Sequence, residues 1–417
     1  MSLKRILKRA GVILLLAMAV GASWWLWRQP HAVASSRWGD FAQLSQHRRL
    51  RSVKAFDDVC GRDLSRLDLA ARPALVPTLS FNLNTVWPPA EKMPPGLKTE
   101  ALLTAAKNPG LGVRELHRQG ITGKGVHVAI IDQPLLGGHP EYAGKIVAYW
   151  DVGCGNDASM HGPAVASLLV GTHCGIAPDA RLSFVAAPSW TLDSAYYAKA
   201  LDWIVETNAH LPADQKIRIV SVSAAPSGLP FKKNTELWNP ACQRAEAAGI
   251  LVLDCSGFVF PSYYDSRDTE NVAKVTPGFP RWDDSRQPDN EAKPEPGMSG
   301  RPTQGASRRP QSTAPPPPSP LAQLFVPCSL RTFAEEFGKG RFGHQYNGRG
   351  GLSWSIPYCA GVMALGWQVR SDLSGPEMRE LLLRSAYLRE DGAKIIQPKA
   401  FIELVKQAPP IHADQGR

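Results

Sequence analysis

The stretch VHVAIID, residues 126–132, decides the fold, because it is a short apolar run that ends in a single carboxylate at Asp132. Runs of this kind are typical of strands buried on both faces of a parallel sheet. Similar runs occur at RLSFVAA (181–187), IRIVSVSAA (217–225) and ILVLDCSG (250–257). The chain therefore contains a series of strands of one type, separated by longer segments.

The separating segments have helical composition or amphipathic spacing. They cover residues 161–171, 194–208, 236–249, 356–370 and 376–386. Strands that alternate with helices indicate βαβ units. We therefore predict an α/β fold with a mainly parallel sheet and helices on both faces, which makes three layers.

Three polar residues stand where such a sheet forms a site, at strand carboxyl ends and helix starts. Asp132 ends the first strand, His161 opens the first helix, and Ser353 opens a later helix. A nucleophilic serine needs a base to take its proton and a carboxylate to orient that base. Taken singly, each residue also fits an ordinary structural role, as a turn carboxylate, a loop histidine or a helix-entry serine.

The residues around these three positions resemble the motifs of the subtilisin-like serine proteases, the subtilases. GITGKGVHVAIID resembles the strand that carries the catalytic aspartate, and HGPAVASLLVG resembles the His-Gly-Thr-His-Val-Ala-Gly helix. GIAPDARLSFVAA (175–187) is similar to the strand entry that follows that helix. GLSWSIPYCAG resembles Gly-Thr-Ser-Met-Ala-Ser-Pro-His-Val-Ala-Gly. The resemblance covers roughly residues 108–386, apart from an insertion.

The resemblance implies a role for each residue. Ser353 would be the nucleophile, His161 the general base and later the acid, and Asp132 the carboxylate that holds the imidazole. Gly350 and Gly351 would let a substrate backbone approach Ser353, whose N–H would face the oxyanion. Pro357 is expected in the first helical turn, where its missing donor costs little. The predicted substrate-pairing strand consists of Ser223, Ala224 and Ala225.

One departure from the family pattern concerns the oxyanion hole. The family places an asparagine donor after a glycine, and here that position falls on Phe258 after Gly257. Loss of such a donor costs about 10²–10³ in turnover, a figure measured on subtilisin. Ser256 and Asn271 are the candidate substitutes. Milder departures from the motifs are Pro134, Pro163, Ala164, Leu352 and Trp354.

The N-terminus predicts a membrane anchor. MSLKRILKR carries four positive charges, and residues 10–27 then run without a charge for 18 residues, which just reaches the length that spans a bilayer. The positive flank would stay in the cytoplasm, so the rest of the chain would lie outside it. Cleavage after Ala34 at a small-x-small site is the alternative, and it would give a secreted protein.

Composition changes along the chain suggest its organisation. Residues 1–34 form the anchor or signal segment, and residues 35–107 form an extension that is either a pro-region or a collar on the main domain. The peptidase domain covers residues 108–408 and the tail 409–417. Residues 280–320, which include PPPP, are so rich in Pro, Gly and Ser that we expect a disordered insertion.

Charge and cysteine spacing exclude several functions. The net charge of +10 comes from scattered residues rather than a basic helix, so nucleic acid is not an expected partner. The seven cysteines form no C-x-x-C pair, so no metal site is predicted. Cys154 and Cys174 are a plausible disulfide pair in an oxidising compartment. The resemblance allows a structural calcium ion, but no dense Asp/Asn loop identifies a site. No cofactor is expected.

These observations favour a membrane-anchored serine endopeptidase that acts on peptides or proteins outside the cytoplasm. The alternative is a catalytically impaired subtilase-like protein that binds peptides or partner proteins, and Phe258 supports it. A third interpretation is an envelope scaffold that uses the Pro-rich insertion. Substrate preference and the fate of residues 35–107 stay open.

Overall fold

The computed structural model describes residues 48–155, 159–267, 271–280, 323–337 and 341–409. The strands are β1 (Arg48–Arg49), β2 (Arg62–Asp63), β3 (Phe81–Asn82), β4 (His127–Asp132), β5 (Ile146–Asp151), β6 (Arg181–Ala186), β7 (Ile217–Val222), β8 (Leu251–Leu253), β9 (Val259–Tyr263), β10 (Thr276–Pro277), β11 (Leu324–Pro327), β12 (Arg331–Glu336), β13 (Phe342–Asn347), β14 (Tyr387–Leu388) and β15 (Lys394–Ile395). The helices are α1 (Thr99–Ala105), α2 (Val113–Arg118), α3 (His161–Val170), α4 (Ser194–His210), α5 (Trp238–Ala247), α6 (Leu352–Val369), α7 (Gly375–Arg384) and α8 (Pro398–Gln407).

The central sheet has five parallel strands in the order β5-β6-β4-β7-β8. Alternate side chains of β4 point to opposite faces, as a strand period of two requires. Val128 and Ile130 pack in the hydrophobic cluster that contains α3 and α6, whereas Ala129 and Ile131 pack in the cluster that contains α4 and α5. The predicted three-layer α/β fold is therefore confirmed.

Strand β5 was not predicted from the sequence. It lies at the edge of the central sheet, and all six of its residues are only half-buried. An edge strand with aromatic and polar side chains does not show the continuous apolar run by which the interior strands were recognised.

Three further sheets among the described residues were also missed. One has the strand order β10-β9-β11-β15-β14 and combines parallel with antiparallel pairs, the second is the antiparallel sheet β12-β13-β3, and the third is the two-stranded parallel sheet β1-β2. Most of their strands have two to five residues, and several of the pairs, such as β3 with β13 and β9 with β11, join strands that lie far apart along the chain. Such pairings leave little local pattern, because they are determined by tertiary packing.

The segment before the central sheet packs on the main domain from residue 48 onward. Phe81 stacks on Tyr346 of β13 with 4.8 Å between ring centroids, and the Tyr346 hydroxyl donates to the Pro77 carbonyl at 2.5 Å. Leu75 and Leu79 are fully buried in the same cluster. These contacts fit the collar alternative, while the removal of residues 35–107 as a pro-region stays a prediction.

Several predicted features lie outside the described residues. They are the anchor 10–27, the cleavage position Ala34, residues 281–320 of the insertion and residues 410–417 of the tail. Within the described ranges, no helix combines the length and apolar character needed to cross a membrane.

The predicted disulfide between Cys154 and Cys174 is wrong in this structure. All seven cysteines are described, and none of them forms a disulfide. Cys154 follows β5 and donates its backbone N–H to Asp151 at 2.6 Å, whereas the Cys174 sulfur lies beside Glu141 and His344. Cys359 is fully buried and Cys255 half-buried, and both pack as small apolar side chains in the core.

Candidate active site

Asp132 and His161 meet at the carboxyl end of β4. The His161 Nδ1 lies 2.6 Å from Asp132 Oδ1. Asp132 is 2% exposed, and its Oδ1 also accepts the backbone N–H of Gln133 at 2.8 Å. These two donors fix the carboxylate, so it can hold one tautomer and one orientation of the imidazole.

Three groups hold His161 from the other sides. Its backbone N–H donates to Ser159 Oγ at 2.9 Å, and its ring lies 5.1 Å from the Trp354 ring, centroid to centroid. Gly162 packs so closely on the end of β4 that an added Cβ would lie 2.8 Å from the Pro134 carbonyl oxygen and closer still to that of Gln133. The start of α3 is therefore fitted against the strand that carries Asp132.

The environment of His161 raises its pKa. Burial by itself lowers the pKa, but the negative charge of Asp132 and the hydrogen bond to it outweigh burial. The net direction is above the ordinary value for histidine, because Asp132 favours the protonated imidazole.

Ser353 is the second residue of α6, and the N–H groups of a first helical turn have no acceptor within their own helix. Its hydroxyl makes a weak bond to the Ser223 carbonyl oxygen at 3.5 Å. Within the described residues, no hydrogen bond joins the Ser353 hydroxyl to His161. The structure therefore brings Asp132 and His161 into contact and turns the Ser353 hydroxyl toward Ser223.

Pro357 does not lie in the first turn of its helix, which corrects the prediction. Helix α6 begins at Leu352, so Pro357 is in the second turn. A proline there leaves the carbonyl four residues earlier, that of Ser353, without its helical donor. The Ser223 hydroxyl donates to this carbonyl at 2.8 Å. The proline thus leaves an acceptor through which the backbone of Ser353 is attached to the residue that follows β7.

A double-mutant cycle tests this link. We expect Ser223→Ala to lower the free energy of unfolding by about 1–3 kcal/mol, because the Ser353 carbonyl becomes an unpaired acceptor. In a Pro357→Ala background the helix supplies an N–H to that carbonyl, so the cost of Ser223→Ala should shrink by about 1 kcal/mol. Urea unfolding of the four proteins measures the coupling.

Ser221→Ala is the matched control for this cycle. Ser221 lies on β7, two residues before Ser223, and its buried hydroxyl has no hydrogen-bond partner among the described residues. Its removal should cost the same in both backgrounds. An equal cost for Ser223→Ala in both backgrounds would mean that the Ser223 hydroxyl does not replace the missing helical donor.

The two glycines before Ser353, Gly350 and Gly351, are required for different structural reasons. Gly350 has a φ of +81°, and an added Cβ would lie 2.5 Å from the Cys328 carbonyl oxygen, so its role is in the turn rather than in the predicted substrate approach. Gly351 has extended backbone with a φ of −170°. An added Cβ there would first meet the Trp354 indole nitrogen at 3.3 Å, so Gly351 remains a position that a substrate backbone could approach.

The predicted substrate strand directly follows β7. The carbonyls of Ala224 and Ala225 already accept the N–H groups of Cys255 and Gly228, at 2.8 Å and 2.9 Å. These internal bonds fix the path of the segment 223–225. Pairing of this segment with substrate backbone stays a prediction.

The oxyanion candidates are engaged in local bonds. Ser256 donates its hydroxyl to Asp254, and the Asn271 side chain caps a short helical turn by accepting the N–H of Ala273 at 2.9 Å. Phe258 stacks under the Arg379 guanidinium at 4.4 Å. The backbone N–H of Ser353 stands in the first turn of α6, and its predicted role as an oxyanion donor stays a prediction.

Sequence reasoning missed one positioning residue, Gln133. Its side chain donates to Ser189 Oγ at 2.6 Å and accepts from the hydroxyl of Ser159, the residue that holds the start of α3. Its place directly after Asp132 is the only signal in the sequence. Polar residues follow strands for many structural reasons, so this position alone does not predict that Gln133 holds the start of α3.

A histidine bonded to a buried carboxylate at the edge of a parallel sheet, with a serine at a nearby helix start, is the arrangement typical of serine hydrolases. Residues 123–267 match the model of the subtilase family. The chain is 28% identical over 297 residues to serine protease AprX of Bacillus subtilis (strain 168), covering 64% of this chain and 63% of that protein. It is 25% identical over 128 residues to subtilisin-like protease PopC of Myxococcus xanthus (strain DK1622), covering 27% of each.

Among solved structures, the Prenylagaramide maturation protease PagA aligns with a TM-score of 0.47 at 17% identity, over 72% of this chain and 99% of that one. The chain spans less than two thirds of the length of both curated relatives. The match of residues 123–267 to the subtilase family confirms the predicted resemblance over that part of the chain.

Proposed function

We propose that this chain is a serine endopeptidase that hydrolyses peptide bonds through an acyl-enzyme on Ser353. The observation that carries the proposal is the 2.6 Å bond between His161 Nδ1 and the buried Asp132. A base held in this way presents its other nitrogen for proton transfer. The match of residues 123–267 to the subtilase family supports the same activity.

The reaction follows from these groups. The Ser353 hydroxyl rotates away from Ser223 and bonds to the scissile carbonyl carbon, while His161 Nε2 takes its proton. The Ser353 N–H faces the oxygen that becomes negative, and Asp132 stabilises the imidazolium. His161 then gives the proton to the leaving amine. A water molecule repeats the sequence on the acyl-enzyme and releases the acid.

The proposal includes the cellular arrangement that the N-terminus suggests. Residues 10–27 anchor the chain in a membrane, and the catalytic domain lies outside the cytoplasm. Cleavage after Ala34 would give a secreted form. Peptides or proteins in that compartment are the substrates, and no cofactor or calcium site is assigned.

A second candidate function rests on Phe258. Because this side chain stacks on Arg379 where the family has a donor, the oxyanion hole has one donor fewer. A protein with a weakened site could retain peptides or partner proteins without cutting them.

A fluorophosphonate probe distinguishes the two functions. The full chain in detergent micelles should be labelled, and Ser353→Ala should abolish the labelling, because only an activated serine reacts. Ser355→Ala is the matched control. It lies two residues further along the same helix, its hydroxyl donates to the Val326 carbonyl at 3.2 Å, and its removal should leave labelling unchanged.

Persistent labelling of Ser353→Ala would overturn the assignment of the nucleophile. No labelling of the folded wild-type chain would favour the binding protein. In that case the wild-type chain and Ser353→Ala should retain the same peptides with equal affinity.

A further inference from the structure

A second cluster of reactive side chains lies away from the triad. Glu141, Cys174 and His344 each offer one ligand atom, and these atoms all lie within 4.8 Å of one another. The side chains come from three separate parts of the chain, so no short motif reveals the cluster.

The carboxylate of Glu141 is the centre of the cluster. Its Oε1 lies 2.8 Å from His344 Nε2 and 3.2 Å from His173 Nδ1. Its Oε2 accepts the backbone N–H groups of His173 at 2.7 Å and Cys174 at 3.3 Å. These bonds fix the carboxylate, and they bring the imidazole nitrogens of His344 and His173 to the same oxygen, Oε1.

The cluster is closed on one side and open on the other. Glu141 and Cys174 are each 1% exposed, whereas the side chains of His344 and His173 are 22% and 64% exposed. An ion could therefore enter past the imidazoles and reach the buried carboxylate and thiol.

We propose that Glu141, Cys174 and His344 form a structural zinc site and that the exposed His173 side chain, whose Nδ1 lies 3.2 Å from Glu141 Oε1, turns in to become the fourth ligand. Thiolate, imidazole and carboxylate are the ligands that Zn²⁺ takes in four-coordinate sites. Bond lengths of about 2.0–2.3 Å put the ligand atoms of such a site roughly 3.3–3.7 Å apart, so the ligand atoms of Glu141, Cys174 and His344, now within 4.8 Å of one another, draw together by about 1 Å on binding. The Cys174 proton leaves to solvent as the sulfur–zinc bond forms, and one thiolate and one carboxylate balance the charge of the ion.

Neighbouring cations are compatible with this site. Lys107 Nζ lies 4.0 Å from Glu141 Oε1, and its side chain is 20% exposed, so it can turn to solvent. Arg114 donates to the backbone carbonyl oxygen of His173 and not to its ring, so it does not block the imidazole nitrogens. His139 is occupied, because its Nε2 lies 2.9 Å from the Gly343 carbonyl oxygen and its Nδ1 accepts the Glu141 N–H at 3.1 Å.

The position of the site suggests its purpose. Glu141 lies in the turn that follows β4, Cys174 follows α3, and His344 lies on β13, which leads into α6. These are the segments that carry Asp132, His161 and Ser353. An ion bound here would cross-link the scaffold of the triad without touching the reacting atoms.

Cobalt substitution tests the proposal without using activity. The full chain in detergent, reduced and freed of metal with a chelator, is titrated with Co²⁺. We expect one equivalent to bind with tetrahedral visible absorption and a thiolate-to-cobalt band in the near ultraviolet, and one equivalent of Zn²⁺ to remove both. Zn²⁺ should also raise the melting temperature. Cys174→Ser should lose the thiolate band and the thermal shift, and His173→Gln should weaken binding at least tenfold.

Cys242→Ser is the matched control, because Cys242 is a half-buried free thiol outside the cluster. It should keep the spectrum and the thermal shift. A folded wild-type chain without the thiolate band would mean that the cluster is only a hydrogen-bonded network. A thiolate band that persists in Cys174→Ser would also overturn the site.

Discussion

Asp132→Asn should lower the turnover of a peptide substrate by about 10⁴-fold while the protein stays folded. The amide keeps the shape of the side chain, but it cannot stabilise the imidazolium and favours the wrong tautomer of His161. The 2.6 Å bond between His161 Nδ1 and Asp132 Oδ1 is the contact that changes character. Turnover is measured on the full chain with a fluorogenic peptide.

The pH profile supplies a second readout for the same variant. In the proposed mechanism His161 acts as the base and must be neutral, so we expect kcat/KM to fall as the pH drops through the raised pKa of His161. In Asp132→Asn the charge that raises the pKa is gone while burial remains, so the acid limb should move to lower pH. An unmoved limb would mean that another group controls the profile.

The stability that His161 contributes depends on pH in the opposite direction to the activity. Because folding raises the pKa of His161, the contact with Asp132 stabilises the fold fully below the ordinary histidine pKa, near 6.5. That contribution is lost as the pH rises through the raised value. Asp132→Asn should therefore lose this part of the stability mainly at acid pH, as thermal melts across the pH range would show.

Asp151→Asn is the control for these measurements. Asp151 ends β5 at the same edge of the central sheet, and its Oδ1 accepts the N–H groups of Gly153 and Cys154. We expect turnover to change by no more than a few-fold. A loss comparable to that of Asp132→Asn would indicate that general damage to the sheet edge explains both.

The central sheet could be predicted because its determinants are local. Each interior strand is buried on both faces, so its apolar run is continuous and visible in the sequence. Asp132 and His161 stand at the ends of such elements, and parallel strands bring those ends to one edge. The same reasoning fails for β3 and β13, which pair although they lie far apart along the chain.

The finer geometry of the site depends on contacts that only the fold creates. Pro357 and Ser223 are remote in sequence. The hydrogen bond that joins Ser223 to Ser353 forms because α6 packs against the end of β7. Cys174 appeared to be a disulfide partner because spacing alone gives no direction to a side chain. In the folded chain it points toward Glu141, whose turn comes from another part of the sequence.

Gly162→Ala should lower turnover by at least about 100-fold, although Asp132, His161 and Ser353 are all retained. An added Cβ would lie 2.8 Å from the Pro134 carbonyl oxygen and closer to that of Gln133. Both obstacles are backbone atoms that follow Asp132, so the start of α3 must move away from β4. A shift of about 1 Å at a catalytic group costs roughly 10² in rate.

The same overpacking should lower the free energy of unfolding by about 1–3 kcal/mol, which urea unfolding measures beside turnover. Gly137→Ala is the control, since an added Cβ there meets nothing within 4 Å and Gly137 lies in the same loop after β4. It should change neither quantity by more than a small amount. If Gly162→Ala kept full turnover, the fit of α3 against β4 would not be what holds His161 at Asp132. If the loss of turnover exceeds what the lower free energy of unfolding accounts for, Gly162 is needed to position His161 at Asp132.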